Sequence, residues 1–129
     1  MERMRLWRWS GVFLAATGSI HTLYALIVQG KIWIAVFRDG AVGAIGTNAE
    51  RSYALWFLVC GILVVLWGAT LHCYIRQTRR PAPASLGWAL LSVSVAGCVF
   101  EPLSGFWLFL PQALLMIAAG RRAVVREAK

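Results

Sequence analysis

Acidic residues are scarce in this chain. Its 129 residues hold 5 Asp and Glu against 13 Lys and Arg, a formal net charge of +8. Charged residues of both signs make up only 14% of positions. Cysteine is confined to Cys60, Cys73 and Cys98, with no C-x-x-C pair, so neither a redox couple nor a zinc site is indicated. Thiols acting as small buried hydrophobes account for all three. The two histidines, His21 and His72, lack H-x-x-x-H spacing, and no P-loop, dinucleotide-binding glycine pattern or credible Ser-His-Asp order occurs. No repeat of fixed period is evident either. Neither a metal nor a cofactor is expected.

What is plentiful is apolar surface. Hydrophobic residues fill 60% of positions, and the mean hydropathy is +0.68. A soluble domain this small has no core large enough to hide that share. Lipid is the natural solvent for the surplus, and one crossing takes about 20 apolar residues. Four such segments, 10–28, 53–75, 86–101 and 104–119, nearly exhaust the chain. The expected fold is all-α: one membrane domain, a four-helix transmembrane bundle.

The positions of the basic residues argue against nucleic acid as the partner. Arg3, Arg5 and Arg8 precede the first segment; Arg76, Arg79 and Arg80 follow the second; Arg121, Arg122, Arg126 and Lys129 follow the fourth. These ten lie at alternate ends of the spans, as the positive-inside rule predicts for cytoplasmic flanks. Only Glu2 and Glu127 oppose them there. On the other side Lys31, Arg38 and Arg51 balance Asp39, Glu50 and Glu101. Both termini are therefore expected inside, in the cell's inner (plasma) membrane. Anionic lipid headgroups are the expected partners of the basic flanks.

Along the chain, Gly11, Ala15, Gly18, Thr22 and Ala25 form a small-residue stripe on the first helix, bordered by His21. Gly61 and Gly68 suggest a matching face on the second. Between them, residues 29–52 are too interrupted by glycine and charge to span, yet contain Ile32, Trp33, Ile34, Val36 and Phe37. A short interfacial segment is expected there, then a turn at Arg38-Asp39-Gly40 and a helix capped by Thr47 or Asn48. The run RQTRRPAPAS breaks the chain again. Gly87, Ser94, Gly97, Cys98 and Glu101 share one face of the third segment. His72 reads as an interfacial residue at the basic end.

The corner FEPLSGFWLFLPQ, residues 100–112, organises the chain. It sets Glu101, two prolines and Ser104-Gly105 between two apolar runs, with Pro111 expected to kink the last span. Helical rise puts His21 about 16 Å from the cytoplasmic start of its helix and Glu101 about 24 Å up. Gln112 falls about 10 Å below the outer turn. All three lie in the outer half, where Glu50 and Asp39 can join them from the first outer loop. Burial raises a carboxyl's pKa and lowers a histidine's. A protonated Glu101 and a neutral His21 would then suit acid–base chemistry on an apolar substrate entering from lipid. Gln112, Glu50, Asp39 and Trp107 are the accompanying binding candidates. The plainer expectation keeps Glu101 at headgroup level, solvated or paired with Arg38 or Arg51. It keeps His21 as a packing residue bonded to a backbone carbonyl.

The segments GSIHTLYAL, RSYALWFLVCG and PLSGFWLFLPQALL carry a resemblance across nearly the whole chain. It resembles a family of small four-span bacterial membrane proteins of no assigned activity. Its most specific element is the P-x-SGFW corner. That family usually has an apolar residue before the proline, so Glu101 stands as a departure. The resemblance implies the fold and no reaction. An accessory or lipid-like small-molecule-binding protein, in homo-oligomers, is the leading expectation. The alternative is a membrane-embedded isomerase or cyclase acting on a terpenoid or sterol-like substrate through Glu101 and His21. A small dimeric exporter ranks last, because the first span lacks the acidic residue on which small multidrug transporters couple.

Overall fold

The computed structural model describes residues 6–127, with side chains through residue 125. Arg3, Arg5, Glu2 and Lys129, with the side chains of Arg126 and Glu127, lie outside the described residues. Everything described is helix, turn or loop, without a strand. A 3-10 turn, Leu6–Trp9, leads into α1, Ser10–Val28. Then come α2, Gly30–Arg38, α3, Ala49–Thr78, and α4, Ala84–Phe100. A second 3-10 turn, Gly105–Leu108, runs into α5, Phe109–Glu127.

Local chemistry sets these boundaries. After α2 the chain turns through Gly40 at φ +94° and Ala41 at φ +61°, a left-handed pair that Gly40 enters without steric cost. Asn48 caps α3, its Oδ1 accepting from the Arg51 N–H at 3.1 Å, and Glu50 sits in the first turn where the helix dipole favours it. α3 ends on Arg79 in the left-handed region, φ +56°, and the prolines at 81 and 83 prevent its continuation. Pro111 does not kink a long helix. It falls in the first turn of α5, where a missing N–H costs little, and the 3-10 turn before it absorbs the change of direction.

Packing is closest between α1 and α3 and between α4 and α5, and the two pairs meet chiefly along α1 and α5. The small-residue stripe makes the first contact. Gly11 lies on the α3 backbone at Gly68 and His72, and Gly18 lies on it at Gly61 and Val65, which fixes the pair as antiparallel. A Cβ on Gly18 would stand 2.6 Å from the Val65 nitrogen. In the second pair Gly87 faces Ala113 and Ile117, and Gly120 faces Ala82 and Ala84. The core gathers where the pairs meet: Leu14, Leu71, Ile75, Leu90, Ala113 and Met116. These registers bring Arg8, Arg76, Arg79 and Arg121 to one end of the molecule. Asp39, Glu50 and Glu101 stand at the other.

Three of these helical stretches are long and apolar enough to cross a membrane: Leu6–Val28, Ala49–Thr78 and Gly105–Val125. α4 is apolar but shorter, with 17 residues.

Candidate functional site

The acid-containing end holds most of the candidate residues. His21 projects from α1 across α3 at the level of Gly61, where a Cβ would come within 2.9 Å of the imidazole Cδ2. The bare glycine lets the ring through. His21 Nε2 lies 3.0 Å from the Phe57 carbonyl oxygen, and its ring stacks on the Phe57 ring with centroids 4.1 Å apart. A carbonyl oxygen only accepts, so Nε2 is the protonated nitrogen in this contact. Tyr24 and Tyr53 flank Phe57 at 6.2 and 5.6 Å, completing an aromatic cluster between the two helices.

Gln112 joins the two helix pairs. Its Nε2 donates to Thr17 Oγ1 at 2.7 Å and more weakly to the Phe13 carbonyl at 3.5 Å. Thr17 Oγ1 donates in turn to the same Phe13 carbonyl at 2.9 Å. Gln112 Oε1 is buried with no partner among the described residues.

Glu101 caps the C-terminus of α4, with its N–H donating to the Gly97 carbonyl at 2.8 Å. The residue is exposed, and its carboxylate makes no hydrogen bond or ion pair among the described residues. The corner that follows is self-contained. Trp107 Nε1 donates to the Pro102 carbonyl at 2.8 Å, Ser104 Oγ accepts from the Phe106 N–H at 3.4 Å, and the Phe106 ring fills the space over Gly97. Trp107 itself is half exposed.

Asp39 is committed elsewhere. Arg51 Nη2 donates to Asp39 Oδ2 at 2.6 Å, while Arg51 Nη1 donates to the Ala44 carbonyl. One guanidinium thus staples the loop between α2 and α3. Glu50 is exposed at the start of α3.

The structure therefore does not gather the candidates at one point. No hydrogen bond or ion pair links His21, Glu101, Gln112, Glu50 or Trp107 to one another among the described residues. No group of three or more His, Cys, Asp or Glu residues suited to a metal ion occurs among them either.

One family model matches residues 5–123, from before the first 3-10 turn into the last turns of α5. The chain belongs to a family of unknown function (DUF6463). No curated protein and no solved structure matches it.

Two partners in these contacts carry no signal of their role in the sequence. Thr17 is there one more small polar residue in an apolar run, and Phe57 one more aromatic in the run RSYALWFLVCG. Only the register of α1 on α3 and α5 makes them partners of His21 and Gln112.

Proposed function

We propose that this chain is a multi-pass membrane protein acting without chemistry of its own, as an accessory component or a holder of a lipid-like molecule. The observation that carries this reading is the apolar surface the fold leaves uncovered. The most apolar windows of the three long segments are only 22–28% buried by the protein itself. Ile20, Ile27, Leu66, Val93 and Val99 all stand exposed, Ile27 at 77%. In water each would forgo about 25 cal/mol for every Å² of apolar surface left uncovered. Acyl chains, or in part a second copy of the chain, would cover it.

In this reading α4 is the fourth crossing. Its 17 residues span about 25 Å, short of a ~30 Å hydrocarbon core, and the corner at 101–108 completes the distance. The basic end faces the cytoplasm, with both termini inside. Acid–base chemistry on an apolar substrate has less support. His21 Nε2 is engaged by Phe57, and nothing joins Glu101 to it. The exporter reading has less still, since α1 contains no acidic residue.

Alkaline carbonate extraction with reporter fusions tests the proposal. The chain should stay in the membrane pellet. Reporters at residue 1, at residue 81 and after residue 129 should register inside, and one at residue 42 outside. Release into the supernatant, or termini on opposite sides, would overturn it.

A further inference from the structure

At the basic end a cleft of about 520 Å³ opens between the start of α1 and the end of α3. Arg8, Trp9 and Val12 line one wall, and His72, Ile75, Arg76 and Arg79 the other. Among the described residues no carboxylate answers this charge, because the single ion pair there, Arg51–Asp39, belongs to the loop between α2 and α3. Arg76 and Arg79 gain from the dipole at the C-terminus of α3, but Arg8 sits before the N-terminus of α1, where a cation is disfavoured. Dipole compensation therefore does not explain why three arginines line one cleft.

A second observation points to a ligand. His72 Nδ1 is buried and has no hydrogen-bond partner among the described residues. Buried polar atoms normally find one.

We propose that this cleft binds a phosphate group, as the headgroup of an anionic lipid. The inference rests on the membrane reading above. Guanidiniums bind phosphate oxygens through paired, charge-assisted hydrogen bonds, and basic pockets at helix ends on the cytoplasmic side suit anionic headgroups. His72 lines the same wall, where its imidazole adds a polar ring beside the arginines. The apolar part of the wall favours a phosphate with a tail over a free one: Val12 and the buried Ile75 lie beside the arginines, and the half-exposed Trp9 stands at their rim.

The test uses the full chain, purified in a neutral detergent and titrated with phosphatidylglycerol or phosphatidylcholine in ~0.5 M NaCl. At that ionic strength diffuse attraction reaches only a few ångströms. Native mass spectrometry counts the retained lipid. Phosphatidylglycerol should be retained at about one per chain and phosphatidylcholine should not. The double variant R76Q/R79Q should lose about tenfold or more in affinity. R121Q/R122Q removes the same charge outside the cleft and should change affinity less than about twofold. His72→Ala should weaken retention without altering the helical circular dichroism. Equal losses in the two double variants, or no preference for phosphatidylglycerol, would overturn the proposal. A parallel arm titrates inorganic phosphate. Binding of phosphate with displacement of the lipid identifies a phosphate site open to soluble anions, and binding of lipid alone identifies the headgroup site. Failure of the membrane reading is seen separately, in the carbonate fractions, whatever the cleft retains.

Discussion

Gln112 Nε2 donates to Thr17 Oγ1 at 2.7 Å, the shorter of the two hydrogen bonds by which this side chain links α5 to α1. Its two partners are not equivalent. Thr17 retains a bond to the Phe13 carbonyl, whereas Gln112 without Thr17 keeps only its 3.5 Å contact to that carbonyl and already leaves Oε1 unpaired among the described residues.

Removing Thr17 should therefore hurt more than removing both partners. Thr17→Ala leaves the Gln112 amide with only its long contact to the Phe13 carbonyl and should cost about 1–2 kcal/mol. The double variant T17V/Q112L replaces both polar groups with apolar ones and should stay within about 1 kcal/mol of the parent. Reversible unfolding in mixed micelles measures both. A double variant less stable than Thr17→Ala would show that the link contributes more than the stranded amide costs.

The α1–α3 contact should be intolerant of a single methyl group. Added carbon at Gly18 meets the Val65 nitrogen at 2.6 Å, and at Gly68 it meets the Ala15 backbone, so neither site can yield by turning a side chain. Gly18→Ala and Gly68→Ala should each cost about 1–3 kcal/mol or more by overpacking. Gly30, at the start of α2, has nothing within 4 Å of the same position. Gly30→Ala should fall within about 0.5 kcal/mol of the parent. Equal effects at Gly18 and Gly30 would mean that α1 and α3 do not pack as described.

Much of this was legible in the sequence because it depends on local spacing. Gly11, Gly18 and Ala25 recur once per two turns, so they had to share a face, and Thr47 and Asn48 were the two cap candidates for α3, of which Asn48 is the cap. Contacts set by the packing of distant segments were not legible. His72 and Arg8 are 64 positions apart in the chain, and only the antiparallel register of α1 and α3 brings them to one cleft. The arginines read instead as generic cytoplasmic flanks, an explanation that never requires them to meet. Pro111 was misplaced for a related reason. Apolar continuity from Phe106 to Leu110 hides the switch from 3-10 to α geometry, which decides whether a proline sits mid-helix or in a first turn.

At the P-x-SGFW corner Gly97 and Phe106 should behave as one unit. The Phe106 ring occupies the place a side chain at 97 would take. Gly97→Ala alone should destabilise by about 1–3 kcal/mol. In a Phe106→Ala background the same methyl enters vacated space and should be neutral or mildly stabilising. A double-mutant cycle should return a coupling of about 0.5–3 kcal/mol, as contacting residues do. Additive losses would mean that the ring packs elsewhere.

The Arg51 staple should matter for loop order more than for stability. Its side chain is 21% exposed and that of Asp39 is 51%, so the ion pair alone is worth well under about 1 kcal/mol after solvent screening. Asp39→Asn should change little. Arg51→Ala also frees the Ala44 carbonyl, and should speed amide hydrogen exchange and proteolysis across residues 40–48. Indistinguishable exchange in the two variants would assign the ordering to the turn backbone alone.

Glu101 and His21 should separate completely. An exposed carboxylate with no partner among the described residues gives Glu101→Gln no folding interaction to break, so stability should move by less than about 0.5 kcal/mol. His21 holds both a hydrogen bond and a ring stack with Phe57. His21→Ala leaves that carbonyl short of a donor and opens a gap beside Gly61, and should cost about 1–3 kcal/mol. His21→Phe should recover the stacking part alone, whereas His21→Gln retains a donor and loses the ring. If the two residues instead formed an acid–base pair, Glu101→Gln would move the ring signals of His21 in nuclear magnetic resonance spectra taken in nanodiscs. Unchanged ring signals are the expected result. It would leave His21 as the pin between α1 and α3 and Glu101 as a charge at the C-terminus of α4.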